Sequence, residues 1–275
     1  MLPRVGHIQY LNCLPLYYGM VKKGLITNIE LVKGTPTQLS NLLINGRLDI
    51  SPVPAIEYCR YHQDLLLLPQ LTVSSDGEVK SILIVSKRPI TELDRKPFAL
   101  PTTSATSQIL TKIILEKRYG VKPLYFECPP DLPRMLLEAE AALLIGDDAL
   151  RALVYNHDLF LYDLGNEWKG ITGKKMVYAV WAVRRSYAND NLNVVKKIFQ
   201  AFIFSLTYSL DHIKEITQEI SRFEPFSVDF LISYFLGLRF EFDENYQEGL
   251  LEFLKYAQEM GFVKEIPELK FVEVD

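Results

Sequence analysis

The chain has 275 residues, of which 48% are hydrophobic and 23% are charged, and its formal net charge is -4. This composition excludes a disordered or fibrous protein, and the length favours two domains, because a domain usually takes about 100 to 200 residues. Acidic residues outnumber basic ones, so a nucleic-acid partner is not expected: no basic excess is available to neutralise phosphates.

The three cysteines, Cys13, Cys59 and Cys128, are odd in number and widely spaced. We therefore expect reduced, mostly buried thiols, with neither a disulfide framework nor a zinc site. The first residues carry no secretory signal pattern, and no run reaches the roughly 18 apolar residues of a membrane span. The expected protein is cytoplasmic, has no membrane partner and binds a small molecule.

Short apolar segments alternate with a helical pattern in the first third of the chain, as is typical of α/β proteins. The predicted elements there are strands at 5–10, 29–32, 49–53, 65–71 and 81–86 and a helix at 37–45. Asn12 follows the first strand, and its amide can donate to and accept from a neutral hydroxyl group. In the alternative interpretation, Asn12 caps a helix that begins at Leu14.

A second alternating set begins after residues 87–89 and leads into a helical tail. Its predicted elements are strands at 98–100, 124–126, 141–145 and 176–183 and helices at 105–119, 192–210, 227–236 and 245–260. Gly120 is the expected C-cap of the helix at 105–119.

Two α/β sets joined by two strand-like stretches predict two mixed-sheet α/β domains, with chain crossings at about 85–89 and 180–184. Residues 1–86 and 184–275 form the first expected lobe, and residues 87–183 form the inserted second lobe. Ligands of open α/β sheets bind beyond the carboxyl ends of the strands. We therefore expect four polar residues to meet in one cleft: Asn12, Ser51, Ser81 and Thr106.

The segment 102–107 stands between a predicted strand and a predicted helix. The unpaired N–H groups and the dipole of a helix start favour an anion, and hydroxyl groups add further donors. This segment therefore predicts a site for a carboxylate or a phosphate. In the alternative interpretation, Ser104 simply caps its own helix.

Common catalytic motifs are missing from the sequence: no dinucleotide fingerprint, phosphate-loop lysine, zinc-protease motif or serine-hydrolase elbow occurs. No two histidines have helical metal-ligand spacing, so structural or solvated roles are expected for His7, His62, His157 and His212.

Three aspartates stand at expected element ends. Asp147 follows an apolar strand, and a role as N-cap of a helix beginning at Ala149 is favoured over direct chemistry. Asp49 and Asp163 are interpreted as turn or cap residues.

Six segments together resemble the chorismate dehydratase family, the periplasmic-binding-protein-like enzymes of the futalosine route to menaquinone. The segments are GHIQYLNCLP at 6–15, GRLDISPVP at 46–54, SILIVS at 81–86, SATS at 104–107, LLIGD at 143–147 and YDLGNEW at 162–168. The resemblance covers about the first two thirds of the chain. It implies a two-lobed, type II periplasmic-binding-protein-like fold with two hinge strands, and neither cofactor nor metal.

A sister family of similar fold makes dihydroxynaphthoate from a cyclic futalosine. It is expected to carry Ile-His-Glu where this chain has Ile145-Gly146-Asp147, so the missing histidine favours the dehydratase. In one departure from the expected pattern, Lys174 and Lys175 stand where an apolar or proline-containing segment is expected.

The resemblance implies a lyase that removes water from chorismate and gives 3-[(1-carboxyvinyl)oxy]benzoate, with aromatisation as the thermodynamic drive. It assigns Asn12 and Ser81 to the reacting part of the substrate. The substrate-binding residues are then Ser51, Thr103, Ser104, Thr106, Ser107, Gly146 and Asp147. Because these motifs offer no histidine base, the enolpyruvyl carboxylate of the substrate is the expected proton acceptor.

Two other functions remain open from the residues. A solute-binding protein for a small carboxylate needs only the anion site. The effector domain of a transcription regulator shares the two-lobed plan, but no helix-turn-helix segment precedes the first strand. The sequence leaves the formation of a homo-oligomer undecided.

Overall fold

The computed structural model describes residues 2–155 and 158–274. The strands are β1 Arg4–Ile8, β2 Glu30–Gly34, β3 Ile50–Pro54, β4 Leu65–Ser75, β5 Ile82–Ser86, β6 Pro97–Pro101, β7 Leu124–Cys128, β8 Ala141–Ile145, β9 Phe160–Asp163 and β10 Met176–Arg184. The helices are α1 Leu14–Lys22, α2 Pro36–Ile44, α3 Ala55–Arg60, α4 Ala105–Tyr119, α5 Leu132–Glu138, α6 Gly146–Tyr155, α7 Leu164–Thr172, α8 Arg185–Asp211, α9 Ile213–Ile220, α10 Val228–Gly237 and α11 Glu244–Glu259.

The chain divides into two compact units. Unit 1 contains Met1–Val73, Ala179–Phe242 and Pro267–Asp275, and unit 2 contains Ser74–Tyr178 and Asp243–Ile266. Each unit is built on a mixed five-stranded sheet covered by helices. The predicted class, two mixed-sheet α/β domains, is therefore confirmed.

The first sheet has the strand order β2-β1-β3-β10-β4. β1 is parallel to β2 and β3, whereas β10 is antiparallel to β3. All five residues of β3 are buried, which is why this strand carries an almost continuous apolar sequence. Helix α1 packs closely on α8, because Gly19 has no Cβ: a Cβ there would lie 2.8 Å from the Cα of Ser205.

A buried carboxylate joins two strands at the amino-terminal end of β1. Asp49, whose side chain is 5% exposed, lies 2.8 Å from Nη2 of Arg4 and 2.7 Å from Nη2 of Arg184. Burial alone would raise the pKa of Asp49, but the hydrogen bonds from these two guanidinium groups hold it below its ordinary value. Asp49 therefore links β1 to β10 through its ion pairs with Arg4 and Arg184. The sequence predicted only a turn or cap role for it.

The second sheet has the strand order β7-β6-β8-β5-β9. β6 is parallel to β7 and β8, and β5 is antiparallel to both β8 and β9. The carboxyl ends of β6 and β8 and the amino end of β5 therefore lie at the same edge of this sheet. We call this edge of unit 2 the polar edge.

The units divide the chain differently from the expected lobes. The sequence placed 82–86 in the first lobe, but β5 is hydrogen-bonded between β8 and β9 of the second sheet. The sequence also placed residues 243–266 in the first lobe. Residues 243–266 belong to unit 2, because Phe253 and Tyr256 of α11 pack against Trp168 of α7 at 6.3 and 5.6 Å between ring centroids.

Most predicted elements are present within one or two residues of the expected bounds, and β8 and α4 match exactly. Gly120 ends α4 in the left-handed conformation, as expected. β9, α5, α7 and α9 were not predicted, and α8 begins seven residues before the expected position, with a non-helical residue at Asn191. Cys13, Cys59 and Cys128 form no disulfide bond, and Cys13 and Cys59 are buried. In the described ranges, no helix has the length and apolar character needed to cross a membrane.

We predict that Asp49→Asn lowers the free energy of unfolding at pH 7 by roughly 1–3 kcal/mol, because two guanidinium groups lose a charged acceptor. The pKa of Asp49 is depressed in the folded protein, so the advantage of the wild type is complete above about pH 4 and is lost as the pH falls through the depressed value. Urea unfolding at several pH values measures both effects.

Asp190→Asn is the matched control, since Asp190 is exposed on α8, and its effect should stay within about 0.5 kcal/mol. An equal loss for Asp49→Asn at pH 3 and pH 7 would contradict the ionic role of Asp49.

Candidate functional site

Three of the expected site residues meet at the polar edge of unit 2. The N–H group of Gly146 donates to the carbonyl of Ser81 at 2.7 Å, and Ile82 pairs with Ile145 in the antiparallel register. Ser81, Gly146 and Asp147 are therefore neighbours although more than sixty residues separate Ser81 from the others. The side chain of Ser81 is completely buried, and among the described residues its hydroxyl makes a single long bond, of 3.4 Å, to the Val79 carbonyl.

The start of α4 follows β6 at the same edge. Ser104 occupies the N-cap position, but its side chain makes no capping hydrogen bond. Its hydroxyl donates instead to Oγ of Ser107 at 2.9 Å. Ser104 is therefore the N-cap residue, as the alternative interpretation had it, but its side chain makes no hydrogen bond to the first-turn N–H groups of α4.

Three more hydroxyl-bearing residues belong to this helix start. Thr106 and Ser107 are buried, at 1% and 2% exposure. Oγ1 of Thr103 is buried as well and has no hydrogen-bond partner among the described residues. Such a group costs about 1–3 kcal/mol when it stays unpaired, so it is suited to bind a ligand oxygen next to the positive end of the helix dipole.

Asp147 does not occupy the position that the sequence suggested. Helix α6 begins at Gly146 and not at Ala149, so Asp147 lies in the first helical turn together with Asp148. Gly146 has a φ of +60°, a conformation that glycine adopts without strain. Gly146 therefore provides the left-handed backbone position at which the chain turns from β8 into α6.

Asn12 lies in a 3-10 turn, Leu11–Cys13, that follows the carboxyl end of β1 in unit 1. Its Oδ1 atom is buried and has no hydrogen-bond partner in the described part of the chain. The N-cap of α1 is Cys13, so the alternative in which Asn12 caps this helix is wrong. An unpaired buried amide oxygen is a ready acceptor for a ligand hydroxyl.

His7 differs from the other described histidines. Nδ1 of His62 lies 2.9 Å from the Cys59 carbonyl, and Nδ1 of His212 lies 2.8 Å from the Tyr208 carbonyl, which confirms structural roles for both. Nδ1 of His7 is buried without a partner among the described residues. His157 lies outside the described residues.

The environment of His7 favours the neutral imidazole. Burial, assisted by the charge of Lys33, lowers the pKa of His7 below its ordinary value. Its ring packs on Tyr17, with 4.2 Å between centroids. The sequence expectation of a structural or solvated histidine did not identify this unpaired nitrogen, and the position of His7 on an otherwise apolar strand was the only signal for it.

Ser51 does not lie at a strand end, contrary to the expectation. It is completely buried within β3, and its hydroxyl donates to the Pro52 carbonyl at 2.9 Å. A Cβ on Gly6 would collide with this hydroxyl. Ser51 therefore packs β3 against β1.

Asp163 holds the loop that precedes Ser81. Its carboxylate accepts hydrogen bonds from four backbone N–H groups, those of Val79, Lys80, Gly165 and Asn166. The bonds from Gly165 and Asn166 show that Asp163 caps α7, which is one of the two roles, turn or cap, that the sequence allowed. Burial raises the pKa of Asp163 above its ordinary value, and the N–H bonds oppose part of this shift. These bonds are strongest to the carboxylate form, in which both oxygens are acceptors.

The bonds that Asp163 accepts from Val79 and Lys80 help to fix the position of Ser81, because Val79 is itself hydrogen-bonded to Ser81. The N–H of Val79 binds Asp163, and the carbonyl of Val79 accepts from the N–H of Ser81 at 2.7 Å. Lys80 stands between them with a φ of +61°, which costs energy for a residue with a side chain. The carboxylate of Asp163 therefore stabilises a strained loop that fixes the position of Ser81.

The two lysines that depart from the family pattern contact α11 and its N-cap. Nζ of Lys174 lies 2.7 Å from Glu248, and Nζ of Lys175 lies 4.1 Å from the centroid of the Tyr246 ring. No group of three or more potential metal ligands occurs among the described residues.

Comparison with known proteins extends these observations. Protein AF1704 of Archaeoglobus fulgidus superposes with a TM-score of 0.77 at 19% identity, covering 94% of this chain and 98% of that one. The CA3427 gene product of Candida albicans, described as having the generic periplasmic binding protein fold, superposes with a TM-score of 0.74 at 14% identity, covering 100% of this chain and 98% of that one. These likenesses confirm the periplasmic-binding-protein-like fold.

Sequence relatives identify the family of this protein more specifically than its fold does. Chorismate dehydratase of Thermus thermophilus is 28% identical to this chain over 264 residues, which cover 90% of this chain and 93% of the relative. The profile of the menaquinone biosynthesis family matches residues 3–259. Because that match covers nearly the whole chain, the protein belongs to the menaquinone biosynthesis family.

Proposed function

We propose that this protein is a chorismate dehydratase, a lyase that converts chorismate to 3-[(1-carboxyvinyl)oxy]benzoate without a cofactor. The main support is the polar edge of unit 2, where Ser81 and Gly146 are hydrogen-bonded neighbours and the hydroxyl-rich start of α4 follows the adjacent strand. Family membership and the Thermus thermophilus relative favour the same activity. Gly146 stands where the sister enzyme would carry its histidine.

The start of α4 is the proposed site of one substrate carboxylate. Hydroxyl groups of Thr103, Ser104, Thr106 and Ser107, together with first-turn N–H groups, supply donors at the positive end of the helix. Asp147 lies in the first turn of α6, at the same edge. Its negative charge is proposed to select the orientation of the substrate, because it repels a carboxylate that binds in the wrong place. The proposed substrate contacts omit Ser51, whose hydroxyl binds its own strand.

The reaction removes one proton and one hydroxyl group from the ring, which becomes aromatic, and releases them as one water. Asn12 is proposed to hold the departing hydroxyl: its buried Oδ1, which has no partner among the described residues, accepts the hydroxyl hydrogen of bound substrate, and its NH2 group donates to the oxygen as that oxygen gains negative charge. The proton taken from the ring is then delivered to this oxygen, which leaves as water. Ser81 is proposed to polarise a reacting group of the substrate, because its bond to Val79 is long and is exchanged at little cost.

The proton acceptor in this proposal is the enolpyruvyl carboxylate of chorismate. The N–H and hydroxyl groups near Ser81 and α4 do not titrate near neutral pH, and burial keeps His7 largely neutral. Holding the carboxylate next to the ring proton is worth roughly 7–11 kcal/mol in favourable cases. Positioning then replaces a titrating base.

Purified protein incubated with chorismate should give an aromatic product lighter by one water, detected by ultraviolet absorption and mass analysis. Asn12→Ala and Ser81→Ala should each lower kcat by about 10²–10³-fold, as expected when a group that stabilises the transition state is removed. Their substrate affinity should change far less.

Asn41→Ala and Ser40→Ala are the matched controls, because both residues lie on α2 and neither side chain makes a hydrogen bond to a described residue. Both controls should retain full activity. If chorismate raises the melting temperature and is not consumed, the protein is a solute-binding protein and the proposal is wrong.

Replacement of His7 by glutamine should leave kcat within about threefold of the wild type and should not change its dependence on pH. With a substrate carboxylate as base, kcat should be level between about pH 6 and pH 8, since carboxylates titrate near pH 4. Steady-state rates across this range measure the profile. A His7→Gln protein that binds chorismate normally but turns it over at least a hundred times more slowly would show that the imidazole is the base.

Asp163→Asn should lower kcat by about 10- to 100-fold and should change KM less, because the amide presents an N–H group to the N–H of Lys80 and displaces the loop before Ser81. Asp131→Asn is the control: Asp131 caps α5 in the same way, and its capping bond goes to Arg134. Equal losses of kcat in both variants, or none in Asp163→Asn, would contradict the positioning role.

A further inference from the structure

A cavity lies in unit 1, away from the candidate functional site. It has a volume of about 380 Å³ and is bounded by the end of α2, the segment before β4 and the start of α8. This volume falls within the roughly 300–1,000 Å³ that small-molecule sites occupy. Arg184, which lines the cavity, pairs with Asp49 at the amino-terminal end of β1, whereas Asn12 follows the carboxyl end. The length of β1 puts about 13 Å between these two edges.

The charges around this cavity favour an anion. Arg4 and Arg184 both pair with the carboxylate of Asp49, so this trio keeps one positive charge in excess. Arg185 adds a second cation to the lining, and Asp64 adds one carboxylate. The balance is positive although the whole chain carries a net charge of -4.

The two guanidinium groups of the lining are held in place by the backbone. Nε of Arg184 donates to the Leu48 carbonyl at 2.8 Å, and Nε of Arg185 donates to the Gln63 carbonyl at 2.9 Å. Nη1 of Arg185 makes no hydrogen bond to a described residue, and Nη1 of Arg184 has only a long contact of 3.4 Å with Ser186. Because these two side chains are already ordered, anion binding loses no further side-chain entropy. An anion is therefore bound more tightly by these donors than by mobile surface arginines.

The rest of the lining indicates the kind of anion. Leu43, Ile44 and Leu65 form an apolar wall, and the amide of Asn189 stands on the α8 side. Guanidinium groups bind carboxylates through paired N–H donors, and an apolar wall accommodates a hydrocarbon or aromatic body. We infer that this cavity is a second binding site, selective for a small organic carboxylate, and that it is independent of the proposed dehydratase site.

Titration of the ¹⁵N-labelled full-length protein with benzoate, followed by amide chemical shifts, tests this inference. Benzoate should give saturable shifts at residues 63–65 and 184–189, with a Kd near or below about 1 mM. Inorganic phosphate, which lacks an apolar body, should bind there at least about threefold more weakly.

Asn189→Asp adds a carboxylate to the lining and should weaken benzoate binding by about five- to tenfold, as expected for like charges about 5 Å apart in a partly hydrated site. Ser186→Asp should act in the same way, because its carboxylate would occupy the donors of Arg184. Asn193→Asp is the control: it adds the same charge to an exposed position further along α8 and should leave the Kd unchanged.

Three results would overturn the inference. The shifts at 63–65 and 184–189 could be absent or fail to saturate. They could be confined to the start of α4, which would place the benzoate at the candidate site alone. The Asn193→Asp protein could lose as much affinity as the Asn189→Asp protein, which would show a general charge effect. Failure of chorismate turnover would leave this inference unaffected, since its readout is binding in unit 1.

Discussion

The antiparallel pairing of β5 with β8 is the constraint on which the candidate site depends. The pairing brings the amino end of one strand beside the carboxyl end of the other, and thereby places Ser81 next to Gly146. Both strands are completely buried, so a slip of one residue would turn core side chains outward at a cost of several kcal/mol. The position of Ser81 at the polar edge is therefore stabilised by the core of unit 2.

Two buried polar atoms of the candidate site have no hydrogen-bond partner in the described part of the chain. Buried polar groups are nearly always hydrogen-bonded, yet Oδ1 of Asn12 and Oγ1 of Thr103 have no partner among the described residues. Each group destabilises the protein by about 1–3 kcal/mol until a ligand completes its hydrogen bonds. Asp163 shows the opposite arrangement, since its carboxylate is saturated by backbone donors. The saturated carboxylate of Asp163 fixes a loop, whereas the unpaired atoms of Asn12 and Thr103 are the ones proposed to bind substrate.

Local sequence predicted the elements well and their long-range contacts poorly. Helix α4 could be bounded exactly, because its apolar periodicity ends at Gly120. The link from Asp163 to the loop before Ser81 could not be predicted, because its partners lie more than eighty residues apart and the strands between them set the contact. Ser51 was misplaced for the same reason: only the packing of β3 on β1 shows that its hydroxyl faces Gly6.

The fold serves binding proteins and enzymes alike, so catalysis has to come from what this chain adds to a carboxylate site. An anion held only at the start of α4 would be bound as tightly before the reaction as during it, and such uniform binding does not raise kcat. Acceleration requires contacts that strengthen as the hydroxyl leaves. Asn12 and Ser81 are the polar residues proposed for that part of the substrate, and neither changes charge near neutral pH. In the proposed mechanism the rate comes from fixed geometry, and the hydrogen bonds of Asp163 to the loop before Ser81 contribute to that geometry.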